Sequence, residues 1–194
     1  MRRWSGTSPP SSARWTMITE DQKKALLRIA RASLVAHLSG ERPAPFAVDD
    51  FPDASGVFVT LKKRGALRGC LGVLELRVGL ADEVARCARD AASVDPRFPP
   101  VGRDELADTA LEISVLGGLE PIDPFSPADV EIGRHGLVVE QGHRRGLLLP
   151  QVAVEWGWTR EQFLAQTCRK AGLSPDAWRN GARVFRFDAD VFAE

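Results

Sequence analysis

The segment Leu67-Arg68-Gly69-Cys70-Leu71-Gly72 combines the residue types in this chain that are best able to do chemistry. Read as a β-strand, it projects Arg68, Cys70 and Gly72 from one face, because successive side chains point to opposite faces. A guanidinium beside a thiol stabilises the nucleophilic thiolate, and glycines let a ligand or another backbone approach closely. The pattern predicts a site at Arg68, Gly69, Cys70 and Gly72, with Cys70 as the candidate catalytic residue. The alternative is that Cys70 is a small buried apolar side chain and Arg68 pairs with a carboxylate.

Basic residues at two predicted hairpin tips form a second candidate site. Lys62, Lys63 and Arg64 precede Arg68 with no acidic residue among them, and Arg144-Arg145 lies at the second tip. Such clusters bind phosphate or RNA, although a hairpin tip is also an ordinary place for solvated charge. Neither tip is interleaved with aromatic side chains that would stack on bases. Lys62 and Arg64 are therefore binding candidates, and RNA binding is an alternative function.

The histidines and cysteines do not have the spacing of a metal site. They are His37, His135 and His143, and Cys70, Cys87 and Cys168. No Cys-x-x-Cys or His-Glu-x-x-His motif is present, and no phosphate-binding loop ends in Gly-Lys-Ser/Thr. We therefore expect no metal and no cofactor. His135 is the candidate general base for Cys70, although nothing in the sequence places it within hydrogen-bonding distance.

Composition limits the classes of partner and the compartment. The chain has 194 residues, and its 26 Lys and Arg balance its 26 Asp and Glu, which removes long-range attraction to nucleic acid or anionic lipid. It contains no apolar run of the roughly 20 residues that a membrane span needs. Three widely spaced cysteines do not form a disulfide framework, so we expect a cytoplasmic protein. Residues 1–16, rich in Ser, Pro and Arg, are expected to be a disordered tail before one domain at 17–194.

Hydrophobic periodicity predicts the elements that position these residues. A capping box at Thr19 and Gln22 opens a helix that ends at Gly40, and the same spacing recurs at Thr159 and Gln162. The other predicted elements are a hairpin from 56 with its turn at 63–66, a helix at 80–91, a strand at 111–115, a second hairpin at 137–149 and a strand at 184–187. Hairpins interspersed with helices, without strict β-α alternation, indicate an α+β fold with mostly antiparallel strands.

Five segments together closely resemble one known family. They are Leu67-Arg68-Gly69-Cys70-Leu71-Gly72, Asp95-Pro96-Arg97-Phe98-Pro99-Pro100, Glu112-Ile113-Ser114-Val115-Leu116, Gly136-Leu137-Val138-Val139 and Leu148-Leu149-Pro150-Gln151-Val152-Ala153. The family is the AMMECR family, named for the human chromosomal region of Alport syndrome with midface hypoplasia and elliptocytosis. Its bacterial and archaeal members are called AmmeMemoRadiSam system protein A. The resemblance extends from about Thr19 to the C-terminus.

The resemblance implies a two-lobed α+β domain, with mostly antiparallel sheets, flanking helices and a cleft between a larger and a smaller lobe. The Arg68-Gly69-Cys70 strand would face that cleft. The family supplies no established reaction, and its prokaryotic members look like one component of a set with a Memo-type protein and a radical S-adenosylmethionine enzyme. We therefore expect an accessory component that binds a substrate or partner protein in the cleft. The expected binding residues are Arg68, Gly69, Cys70, Gly72, Lys62, Arg64 and His135.

Two alternatives to the accessory role are carried forward. One is a Cys70-dependent enzyme, in which Arg68 stabilises the thiolate and His135 is the base. The other is an RNA-binding module that uses the basic hairpin tips.

Overall fold

A computed structural model describes residues 17–42 and 51–194. The predicted tail at 1–16 and the segment 43–50 lie outside the described residues. Within the described part, no helix has the length and apolar character that crossing a membrane requires.

The described residues form helices and strands in alternating groups. The helices are α1 (Glu20–Ser39), α2 (Leu80–Ser93), α3 (Pro150–Glu155) and α4 (Arg160–Lys170). The strands are β1 (Gly56–Lys63), β2 (Ala66–Val73), β3 (Thr109–Leu116), β4 (Glu120–Pro121), β5 (His135–Gln141), β6 (Arg144–Leu148) and β7 (Arg183–Ala193). Short 3-10 turns lie at Arg103–Asp108, Pro127–Asp129 and Ala177–Arg179. Both predicted hairpins are confirmed, whereas α3 has no counterpart among the predicted elements.

The predicted helix starts are confirmed by their capping hydrogen bonds. The Thr19 hydroxyl accepts from the Gln22 amide, and the Gln22 side chain accepts in return from the Thr19 amide at 2.9 Å. The same reciprocal pair joins Thr159 and Gln162 at the start of α4. Each box satisfies two amide groups that have no partner inside the helix. Local sequence therefore decides where both helices begin.

The strands form one antiparallel sheet in the order β2-β1-β3-β7-β5-β6, with the short β4 also paired to β7. Strand β7 joins the two halves of the sheet, because its residues 183–188 pair with β5 and its residues 189–193 pair with β3. Antiparallel hairpins with helices outside strict β-α alternation confirm the predicted α+β class.

The core is built in three buried clusters. Helices α1 and α2 pack on one face of β1 and β3, where Val57, Val59 and Leu61 have no exposed surface. Helix α4 packs against β5 and β6 around Phe163. A third cluster includes Phe58 of β1 together with residues of β5, β6 and β7. Strands that are far apart in the sheet order thus contribute to one cluster, which requires the sheet to curl. The two lobes and their cleft stay predictions.

Candidate functional site

Strand β2 carries the candidate chemistry and lies over helix α2. A Cβ added to Gly69 would lie 2.2 Å from the carbonyl oxygen of Ala91, so Gly69 faces the helix and allows its backbone to approach. Cys70 lies opposite Thr60 of β1, and Gly72 follows on the same face. That face is opposite the one on which α1 and α2 pack. The predicted alternation is therefore confirmed from Gly69 to Gly72.

A β-bulge breaks the predicted alternation just before Gly69. Leu61 pairs with Gly69 and Lys62 pairs with Leu67, which leaves Arg68 as an extra residue without an opposite partner. The register therefore places Leu67 on the same face as Lys62 and Cys70. Strict alternation predicted Leu67 on the opposite face. Because of this extra residue, the expectation that Arg68 and Cys70 are side-by-side on one face is wrong.

The Arg68 guanidinium is held by a carboxylate and by backbone carbonyls. Its Nε and Nη2 donate to the two carboxylate oxygens of Glu105 at 3.0 and 2.9 Å. Its Nη1 and Nη2 donate to the carbonyl oxygens of Pro99 and Pro100 at 2.8 and 3.2 Å. Hydrogen bonds from Arg68 first, and then from Lys63, hold the pKa of Glu105 well below its ordinary value. Arg68 is thus the centre of a bidentate ion pair that fixes the 99–105 segment to β2.

The backbone of Cys70 is bound by two side chains from the 95–100 segment. Its N–H donates to Asp95 Oδ2 at 2.9 Å, and its carbonyl oxygen accepts from Arg97 Nη2 at 3.2 Å. Arg97 also donates to Asp95 through Nε and Nη2, at 2.9 and 2.7 Å. These bonds, with the Arg97 bonds foremost, hold the pKa of the buried Asp95 carboxyl far below its usual range. We call this arrangement of Asp95, Arg97 and the Cys70 backbone the clamp.

The Cys70 thiol is half-buried and has polar neighbours. The Thr60 hydroxyl donates to Cys70 Sγ at 3.3 Å. The pKa of Arg97 is raised, chiefly by its hydrogen bond to Asp95 and to a lesser degree by its charge and hydrogen-bond interactions with Cys70. The guanidinium beside the thiol therefore belongs to Arg97. The sequence analysis expected Arg68 in this position, and a role of either arginine in the chemistry of the thiol stays a prediction.

The other two cysteines are apolar core residues. Both are buried, on α2 and α4 respectively. Burial raises the pKa of the Cys87 thiol to about 11 and raises that of Cys168 as well. Their thiols are therefore protonated and inaccessible at neutral pH.

We expect Cys70 to react with a thiol reagent faster than Cys87 and Cys168, because only its side chain reaches the surface among these three. Timed labelling of the folded chain with iodoacetamide, followed by peptide mass spectrometry, measures the three rates separately. We expect Cys70 to label at least tenfold faster. Faster labelling of Cys87 or Cys168 would contradict the face assignment of β2 or of the helices.

The basic residues of the first hairpin tip are neutralised by acidic neighbours. Lys62 Nζ lies 2.7 Å from Glu112 Oε2, on the face that carries Cys70. Arg64 Nη2 lies 2.7 Å from Asp108 Oδ2 and is largely exposed. The tip is a two-residue turn in which Arg64 and Gly65 both have positive φ, at 51° and 82°. This tip therefore presents little free positive charge.

His135 is not brought to Cys70. It begins β5 and pairs with Asp188 of β7. Cys70, followed across the sheet through its paired residues in β1 and β3, is level with Ala193 of β7. Five residues of strand separate the two positions, on the order of 16 Å along the sheet. His135 Nδ1 accepts from the Glu131 amide at 3.0 Å, and burial lowers its pKa. His135 is a buried residue at the start of β5, so the proposed Cys70–His135 pair does not form.

The candidate site is a partly covered face of the sheet, because Thr60 beside Cys70 is buried and the Phe58 ring fills the space next to Gly72. A cavity of about 780 Å³ lies along α1 beside Lys24 and Arg28, and one of about 410 Å³ lies beside α4 and Trp178. Neither is lined by a residue of β2. The part of the chain that the structure describes also contains no group of three His, Cys, Asp or Glu side chains suited to a metal ion.

Comparison with known proteins places the chain in a family. The AMMECR1 family model matches residues 27–192, a range that includes β2 and the clamp. The chain belongs to the AMMECR1 family. A protein of Methanothermobacter thermautotrophicus is 46% identical over 190 residues and is matched over 93% of this chain and 98% of its own length. A protein of Methanosarcina barkeri is 42% identical over 187 residues, with 92% of this chain and 93% of that protein covered.

A solved crystal structure has the same fold as this chain. The crystal structure of the uncharacterised protein PH0010 from Pyrococcus horikoshii matches with a TM-score of 0.83 and 39% sequence identity. The match covers 91% of this chain and 93% of that protein. It confirms the α+β architecture expected from the sequence resemblance.

Four site residues of this AMMECR1 chain received no role from the sequence. They are Thr60, Asp95, Arg97 and Glu105, which bond the thiol, the backbone or the arginine of the 67–72 segment. The Asp95-Pro96-Arg97 run was a usable signal, because an Asp and an Arg two residues apart around a proline suit a tight turn that bonds itself. Nothing in the sequence indicated which strand that turn would contact.

Proposed function

We propose that this protein is a binding component without a reaction of its own, and that the face of β1 and β2 that carries Leu67 and Cys70 receives a substrate or partner protein. One observation supports this proposal above others. The charged groups of the 67–72 and 95–100 segments bond one another and the strand backbone, so they fix a surface in place. A surface held rigid by its own ion pairs loses little conformational entropy on binding.

The surface offers a mixture of apolar and polar groups to a partner. Leu67 is 44% exposed and lies beside Lys62 on the face that also holds Cys70. Lys62 and Glu112 form a half-buried ion pair on that face. A partner that covers Leu67 would gain apolar burial, while the ion pair at the border would orient it.

The Memo-type protein and the radical S-adenosylmethionine enzyme implied by the family resemblance are the partners we propose. That resemblance is the support for these two proteins. Their association with the Cys70 face is a separate and testable part of the proposal.

A Cys70-dependent enzyme is the second candidate function. The observation that favours it is the polar surroundings of residue 70, where the Thr60 hydroxyl donates to Sγ and the Arg97 guanidinium donates to the backbone carbonyl oxygen. The observation against it is the position of His135, on a different part of the sheet. A nucleophilic cysteine normally has a base within hydrogen-bonding reach.

Binding titrations of the full chain test the proposal. The probes are the purified Memo-type protein and the purified radical S-adenosylmethionine enzyme encoded by the same genome, each titrated onto the immobilised chain. We expect Leu67→Glu to weaken binding at least tenfold, because it places a charge in the covered apolar area. We expect Cys70→Ser to bind within threefold of the parent, since it nearly preserves volume.

Val35→Glu is the matched control, because Val35 is 40% exposed on α1, away from β2. It should bind like the parent. If Leu67→Glu also binds like the parent, the Cys70 face is not the binding surface. If neither probe binds the parent at tens of micromolar concentration, the choice of partners is wrong. A loss of binding in Cys70→Ser alone, in a variant that melts like the parent, would favour a chemical role for the thiol.

A further inference from the structure

The second hairpin tip and the end of helix α4 form one basic surface. A Cβ added to Gly146 of β6 would lie 2.3 Å from the backbone nitrogen of Ala171, so the hairpin packs directly on the end of the helix. Arg144 Nη1 donates to the carbonyl oxygen of Gly172 at 2.7 Å. We define the basic tip surface as Arg144, Arg169 and Lys170, all of which are exposed.

The positive charge of this surface is largely unneutralised. Arg145 lies outside this surface, because it projects from the opposite face of β6 and is paired with Glu140 at 3.7 Å. For Arg144, Arg169 and Lys170, the described residues supply no carboxylate within 4 Å. The nearby Asp176 carboxylate is bound by Ser174 and Asn180.

Helix geometry accounts for only part of this charge. Arg169 and Lys170 lie in the last turn of α4, where the carbonyl end of the helix favours cations. Arg144 comes from a different element and adds to the same surface. The first hairpin tip shows the contrast, because there Lys62 and Arg64 each have a carboxylate partner. In a chain with equal numbers of acidic and basic residues, this concentration of charge is a local asymmetry.

We propose that the basic tip surface binds an acidic polypeptide segment of a partner protein. Arg144 and Arg169 can each hold a carboxylate through two parallel hydrogen bonds, which suits Asp and Glu side chains, and Lys170 adds a third positive charge. The surface belongs to β6 and α4, at the other end of the strand order from β2. The proposal is therefore independent of the binding role assigned to the Cys70 face.

An acidic polypeptide fits this surface better than a nucleic acid does. Nucleic-acid binders draw much of their affinity from neutralising phosphates along the backbone, whereas this surface offers three cations in a chain without net charge. None of the three residues is interleaved with an aromatic side chain that would stack on bases. Nucleic-acid binding is kept as an outcome of the test.

Fluorescence anisotropy with the full chain tests the proposal. The probes are a fluorescein-labelled decaglutamate peptide and a labelled 20-nucleotide RNA at the same ionic strength. We expect the peptide to bind the parent, with an affinity that falls as NaCl is raised. The double variant Arg144→Glu with Lys170→Glu should weaken peptide binding at least tenfold while melting close to the parent temperature.

The matched control is Lys24→Glu with Arg28→Glu, which changes the net charge equally at two exposed positions of α1. This control should bind the peptide within twofold of the parent. Equal binding by the Arg144→Glu, Lys170→Glu variant and the parent would overturn the proposal. So would an equal loss in the control, because net charge alone would then explain the binding. Tighter binding of the RNA than of the peptide, lost in the same double variant, would overturn the choice of an acidic polypeptide.

Discussion

Replacement of Asp95 by alanine is expected to lower the free energy of unfolding by about 3 kcal/mol, because it removes the carboxylate at the centre of the clamp. The change leaves the Cys70 N–H without its partner and the Arg97 guanidinium without its counter-ion. Arg97 is half exposed and can be rehydrated, which keeps the loss from being larger. For a chain of this length the melting temperature should fall by roughly 6–12 °C.

The effect of Asp95→Ala has a pH signature. Since the folded pKa of Asp95 lies below its ordinary value of 3.8, its stabilising contribution is complete at neutral pH and is lost as the pH falls below about 4. The difference in free energy of unfolding between the parent and Asp95→Ala should therefore become smaller in acid. Asp53→Ala, at an exposed position, is the control and should change stability by no more than about 0.5 kcal/mol. If the parent and Asp95→Ala differ in free energy of unfolding by the same amount at pH 3 and pH 7, Asp95 is not ionised in the clamp.

Substitution of Gly69 by alanine is expected to destabilise the fold by about 2–4 kcal/mol, although alanine ordinarily stabilises a strand relative to glycine. The new methyl group would lie 2.2 Å from the Ala91 carbonyl oxygen, a backbone atom that moves only if α2 moves. Helix α2 carries a row of small buried residues against β1 and β2, so its displacement opens space along the whole contact. Chemical denaturation measures the loss.

Gly118→Ala is the matched control for Gly69→Ala. A Cβ at Gly118 meets nothing within 4 Å, and the substitution should be neutral or slightly stabilising. If Gly69→Ala unfolds at the same denaturant concentration as Gly118→Ala, the close approach of α2 to β2 does not restrict residue 69.

The sequence predicted those features of the fold that depend on neighbouring residues. The capping boxes at Thr19 and Thr159 each depend on a partner only three positions further along the chain, and both are confirmed by reciprocal hydrogen bonds. Alternation in β1 predicted its buried face, because one side of the strand packs on helices. The family resemblance likewise depends on contiguous segments, and the matched range confirms it.

The arrangement of the candidate site depends on contacts that are distant in sequence. Alternation could not anticipate the bulge at Arg68, because a bulge is a property of the pairing between two strands. Cys70 meets Asp95 across 25 positions and Arg68 meets Glu105 across 37. The sequence analysis therefore paired Cys70 with Arg68, the nearest arginine along the chain. In the structure the arginine that bonds residue 70 is Arg97.

The clamp lies on the unpaired side of strand β2, where a second molecule could add a strand to the sheet. Strand β2 ends the strand order, so one of its two long sides has no strand neighbour within the described residues. An open strand side with free N–H and C=O groups is a template on which another chain can add a strand. At Cys70 both groups already bond the Asp95 carboxylate and the Arg97 guanidinium, two side chains that stand in for a neighbouring strand. The ion pair therefore protects the sheet against edge-to-edge aggregation.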